Sequence, residues 1–134
     1  MIAEIIEPHN VDRLWPQLAE GFVKSCTNTN QTAGNLWQLC RGGNAFLVVA
    51  HEDDKIHGAC VVRFEPYGDR QCIRGLGLSG SKGIEHWIGT LRDKVNEMGR
   101  EGGATVFVDE GRPGFAKLIK DARIVRVTFE VDIQ

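Results

Sequence analysis

The chain has 134 residues, of which 42% are hydrophobic and 25% charged, with a formal net charge of -2. This is the composition of one globular domain (1–134) with enough chain to bury a core, and it lacks the basic excess of a nucleic-acid binder. Glu4 and Glu7 stand where a secretory leader would carry a basic region and an apolar run, and no apolar stretch approaches the roughly 20 residues of a membrane span. A cytoplasmic protein without membrane or nucleic-acid partners is therefore expected. Cys26, Cys40, Cys60 and Cys72 form no C-x-x-C pair and have no histidine at ligand spacing. They are expected to be reduced, buried thiols, and no metal site is expected.

In chain order, "IAEIIEP" (2–8) reads as a strand ended by Pro8. Asn10 is placed to cap a helix whose stripe is Val11, Leu14, Trp15, Leu18, Phe22 and Val23, with Pro16 either interrupting it or starting its main part after a first loose turn. After the polar loop 25–31, residues 32–39 read as a short helix stopped by "RGG" (41–43). "NAFLVVAHEDDKIHGACVVRFEP" (44–66) reads as two apolar strands around the charged turn 52–55, an antiparallel hairpin. A second turn, "YGDR" (67–70), leads to a third strand, "QCIRGLGLSG" (71–80). Ile84, Trp87, Ile88, Leu91, Val95 and Met98 then form a helical stripe ended by Gly99, Gly102 and Gly103. "ATVFVDE" (104–110) reads as a buried parallel strand, residues 115–120 as a short helix after the turn "GRPG", and "RIVRVTFEVDI" (123–133) as a final strand. The order β-α-α-β-β-β-α-β-α-β predicts a mixed α/β domain in which the strands at 71–78 and 104–109 form a right-handed βαβ unit.

Gly75, Gly77 and Gly80 match G-x-G-x-x-G between that strand and that helix, which raises the question of a phosphate. A dinucleotide-binding fold has Asp109 near the place of its ribose-binding acid. It needs further βαβ units, however, and about 25 residues remain. A Walker A loop is excluded, because Ser81 stands where its Lys must be and Gly83 where its Ser or Thr must be.

A third reading rests on the element order and on Ala50, Ile56, Gly58 and Val62, which fit the phrase A-x-x-x-x-x-I-x-G-x-x-x-V. In these the chain resembles the GCN5-related N-acetyltransferase superfamily. The resemblance implies an acyl-CoA N-acyltransferase-like three-layer fold, acetyl-CoA as cofactor and an amine acceptor as the other partner. It implies that Leu76, Gly77 and Leu78 meet pantetheine, and that Ser79, Gly80, Ser81, Lys82, Gly83 and Ile84 meet the pyrophosphate. A helix N-terminus, with its free N–H groups and partial positive charge, suits that anion.

Amine acetylation needs a base. Glu65, Asp109 and Glu110, each near a strand end, are the candidates. The helix at 114–121 lacks the family's tyrosine, and "DEGRPG" replaces the preceding Asn. In this the chain resembles short, degenerate members found among tailed-phage genes. That resemblance implies an alternative: a non-catalytic, virion-associated or accessory protein with a protein partner, possible also as a homodimer. His9, His51, His57 and His86 follow no pattern and are expected at the surface; Trp15, Trp37 and Trp87 are expected in the core.

Overall fold

The computed structural model describes residues 1–27, 29–110 and 119–134. β1 (Ile2–Ile6) leads through a single 3-10 turn (Pro8–Asn10) into α1 (Val11–Ser25) and α2 (Ala33–Arg41). β2 (Phe46–Glu52), β3 (Lys55–Tyr67) and β4 (Arg70–Gly80) follow, then α3 (Ile84–Glu101) and β5 (Val106–Asp109). The five strands form one sheet in the order β1-β2-β3-β4-β5, antiparallel except for the parallel pair β4/β5.

The near-continuous apolar runs of β2 and β3 have a simple cause: both faces of the sheet are covered. Leu47, Val49, Ala59 and Val61 pack with Val11, Leu18, Phe22, Leu36 and Cys40 of α1 and α2. Val48, Ala50, Cys60 and Val62 point the other way, against Trp87, Leu91, Val95 and Met98 of α3. The result is a three-layer α/β/α sandwich. The turn between β2 and β3 is tight, with Asp53 and Asp54 both at positive φ (50° and 63°), as a two-residue hairpin turn requires. All four cysteines are buried and free.

Three expectations change. α1 continues through Pro16, which is exposed and sits one turn inside the helix. The buried stripe Val11, Leu18 and Phe22 holds the helix on the sheet despite the missing donor. Asn10 occupies the N-cap position without a side-chain cap, whereas Thr32 caps α2 by accepting from the Asn35 N–H at 3.1 Å. Among the described residues, 123–133 form no strand: they pair with none of β1–β5 and are exposed throughout. The helix expected at 115–120 lies largely outside the described residues.

Trp87 locks α3 to the sheet. Its indole lies across Gly58 of β3 and Gly80 of β4, so closely that a Cβ at either position would collide with the ring. Its Nε1 donates to the Ser81 carbonyl at 3.2 Å. Gly58→Ala should therefore cost about 1–3 kcal/mol through overpacking. Gly89→Ala, inside α3 with open space around it, should add about 0.5–1 kcal/mol. Urea unfolding of the two variants checks both signs.

Candidate active site

β4 is paired along both edges only as far as Gly75. Its partners in β5 run from Cys72↔Val106 to Gly75↔Asp109, and Leu76–Gly80 have none on that side. On the other edge Val61 pairs with Gly77 and Val62 with Gly75, which leaves Leu76 as the extra residue of a β-bulge. The bulge bends β4 where β5 ends, and beyond it Leu76–Gly80 have no partner on the β5 side among the described residues.

Asp109 is the last residue of β5 and pairs with Gly75, beside the bulge of β4. Its carboxyl is crowded over Gly75, where a Cβ would lie 2.9 Å from Oδ2. The residue as a whole remains solvent-accessible, while its carboxyl group is largely desolvated. Desolvation raises its pKa to about 7; the neighbouring Glu110 charge adds to this, against a backbone hydrogen bond and the Arg74 charge. A carboxyl group tuned near neutrality is suited to accept a proton.

Glu65 is held differently. Arg63 donates to its Oε2 through Nε and Nη2 (3.0 and 2.9 Å), and Arg74 Nε donates to Oε1 at 3.0 Å. Burial alone would raise its pKa, but the hydrogen bonds and charges of Arg63 and Arg74 outweigh it and leave the carboxyl below its ordinary value. With both oxygens occupied, Glu65 is a structural anion and a poor base. Glu110 is exposed; its Oε1 lies 3.4 Å from Arg74 Nη1 and 3.7 Å from Arg126 Nη2. Arg63, Glu65, Arg74, Leu76 and Glu110, with Gln31 from the α1–α2 loop, line a polar cavity of about 260 Å³. Glu65 and Glu110 thus meet in one network through Arg74, and Asp109 stands apart over Gly75.

The three glycines of G-x-G-x-x-G serve packing. Gly75 lies under Asp109 and Phe107, Gly77 under Leu36 and Phe22, and Gly80 under Trp87. Ser79 is buried, its Oγ donating to the Leu18 carbonyl at 2.9 Å. The Leu78 N–H donates to Ser25 Oγ at 3.2 Å. Ser81 faces β3, donating through its N–H and Oγ to the His57 carbonyl. Gly83 is different: it has φ +79°, open space around it and the N-cap position of α3 with no side-chain cap. Ile84 begins the helix, and Lys82 is exposed beside it. An anion has room at Lys82–Ile84, although Glu85 in the first turn opposes a second negative charge there.

Cys40 and Cys60 are poor nucleophiles. Desolvation pushes both Cys40 and Cys60 up to about 12, with the charges of Asp109 and Cys40 adding to the effect at Cys60. The residue that sequence reasoning left least distinguished is Asp109. Its strand-end position was visible, but its desolvation depends on Gly75 of another strand.

No protein-family model matches the chain, and no curated protein matches its sequence. Solved structures do resemble its fold. An aminoglycoside acetyltransferase from an uncultured soil metagenomic sample superposes with a TM-score of 0.71 at 18% identity, covering 98% of this chain and 96% of that one. A ribosomal-protein-alanine N-acetyltransferase from Brucella melitensis biovar Abortus 2308 gives 0.69 at 11% identity, with 98% and 97% covered. The likeness is one of fold, and the mixed α/β three-layer architecture is the one these acetyltransferases share.

Asp109 has a testable signature in stability. Its folded pKa of about 7 lies above the ordinary carboxylate value of about 3.9. Between those pH values the folded protein keeps a proton that the unfolded chain has lost, so this group's contribution to stability falls as pH rises through the window. Asp109→Asn removes that penalty. The melting-point difference, variant minus wild type, should grow from pH 4 to pH 7.5.

Proposed function

We propose that the protein is an acyl-CoA-dependent N-acetyltransferase. The observation that carries this reading is the end of β5 beside the β4 bulge, with a carboxyl tuned near pH 7 at that point. The thioester lies beside that carboxyl, its pantetheine arm along β4 at Leu76–Leu78. Ser25 yields the Leu78 amide, and the diphosphate sits at the uncapped start of α3 around Ser81, Lys82, Gly83 and Ile84. Gly80 and Ser79 shape this entry by packing. The acceptor amine nitrogen attacks the thioester carbonyl, the C–S bond breaks and CoA leaves as thiolate. Asp109 takes the amine proton and can return it to the thiolate, a role that needs no tyrosine. The polar cavity lined by Arg63, Glu65 and Arg74 suits a polar acceptor.

Acetyl-CoA at about a hundredfold over its dissociation constant adds roughly 2.7 kcal/mol to stability, a rise of several degrees in Tm for a domain of this size. Lys82→Asp should shrink that rise. Asp109→Asn should keep it and lose about 10²–10⁴-fold in turnover with an amine acceptor. No rise at millimolar acetyl-CoA would refute the reading.

A second use of the same fold, non-catalytic and through a protein partner, is favoured by residues 123–133. Val125, Val127, Phe129, Val131 and Ile133 alternate with Arg126, Thr128, Glu130 and Asp132, the pattern of a half-buried strand. Yet Val127, Phe129, Val131 and Ile133 are 77%, 85%, 79% and 97% exposed. β5 meanwhile is a sheet edge without a second strand partner among the described residues. An unpaired edge and an unpaired strand of matching pattern complete each other across two copies. The occupant proposed here is a second copy of this chain; a virion component is the rival occupant. Light scattering should give a dimer for the wild type and a monomer for Phe129→Asp. A monomeric wild type would overturn the homodimer.

A further inference from the structure

Glu52 at the end of β2, His57 in β3 and His86 in the first turn of α3 bring their ligand atoms within 4.8 Å of one another. His57 Nε2 lies 3.3 Å and His86 Nε2 3.5 Å from the same atom, Glu52 Oε1. The two rings stand nearly perpendicular (77°), with centroids 5.4 Å apart. A neutral imidazole with its proton on Nε2 donates to such an oxygen; with the proton on Nδ1, its Nε2 lone pair is free for a cation. The Met1 ammonium lies 3.6 Å from the other carboxylate oxygen, Glu52 Oε2. In a tetrahedral zinc site with bonds of about 2.0–2.1 Å, neighbouring ligand atoms stand about 3.3–3.4 Å apart. The 3.3 and 3.5 Å from Glu52 Oε1 to the two imidazole nitrogens are close to that value, and all three ligand atoms lie within 4.8 Å of one another.

The surroundings hold the three groups in place. Ser81 donates twice to the His57 carbonyl, through its N–H at 2.9 Å and Oγ at 3.1 Å, and Trp87 donates to the Ser81 carbonyl. The His57 side chain is only 13% exposed, while that of His86 is 62% exposed.

We propose that Glu52, His57 and His86 form a binding site for a divalent transition metal, with Zn²⁺ the best match to two imidazoles and one carboxylate. The three protein ligands leave a position for water. The ion clasps the start of α3 to the β2–β3 hairpin. This inference is independent of the acyl-CoA reading, and its test uses no acyl-CoA.

The probe is the metal alone, added to the full chain. Calorimetry with Zn²⁺ should give one site per chain and a Tm raised by several degrees, with no shift from Mg²⁺, which prefers oxygen ligands. Co²⁺ should give a tetrahedral visible spectrum without a thiolate charge-transfer band. His86→Ala, at an exposed position that the fold tolerates, should weaken Zn²⁺ binding at least tenfold, and Glu52→Gln should weaken it similarly. Absence of saturable Zn²⁺ binding would overturn the proposal. So would affinity unchanged in His86→Ala, or a thiolate band, which would place the ion on a cysteine.

Discussion

The structure depends on where β5 stops alongside β4. Up to Gly75 β4 is a central strand, tied to β3 on one edge and to β5 on the other. The bulge at Leu76 then turns the strand; beyond it β4 keeps its pairing with β3 but has no partner on the β5 side among the described residues. Exposed ladder groups are a liability at an outer edge. Here α1 shelters them, its Ser25 and Leu18 engaging Leu78 and Ser79. Asp109 sits at this point, paired with Gly75.

The glycines follow from the same constraint. β4 must admit α1 on one face and Trp87 on the other, and side chains at Gly77 or Gly80 would fill those places. The motif that looks like a phosphate cradle is a set of close approaches, to β5 at Gly75 and to helices at Gly77 and Gly80. The backbone freedom that an anion could use sits three residues further on, at Gly83. Glycine spacing by itself does not distinguish these uses, because either demands only the absence of a Cβ.

The charged groups divide by environment. Glu65, fixed between two guanidinium groups, is committed to its anionic form. Asp109 has no such clamp and loses water instead, which moves its titration towards neutrality. Two carboxylates on adjacent parts of one sheet thus acquire opposite character. Glu52, His57 and His86 form a third polar group at the other end of the hairpin, joining β2, β3 and α3 where Trp87 already fastens the helix.

The sequence by itself determined the local elements and their layering. The apolar runs within 44–66 read as a hairpin of two strands, and the stripe from Ile84 to Met98 as a helix. These patterns are local, because they report which faces meet water. The C-terminal run 123–133 alternates with a period of two but forms no strand among the described residues, since a strand needs a neighbour and the pattern does not supply one. The candidate bases were legible as strand-end acids, but only the packing of Asp109 over Gly75 and of Glu65 between Arg63 and Arg74 separated their chemistry. The histidines showed no spacing at all, because their three ligand atoms come from elements joined by the sheet and by Trp87, and not by the chain. Tertiary structure alone decided where β5 ends beside the bulge of β4, the tuned carboxyl and the convergence of Glu52, His57 and His86, because each depends on distances between residues far apart in sequence.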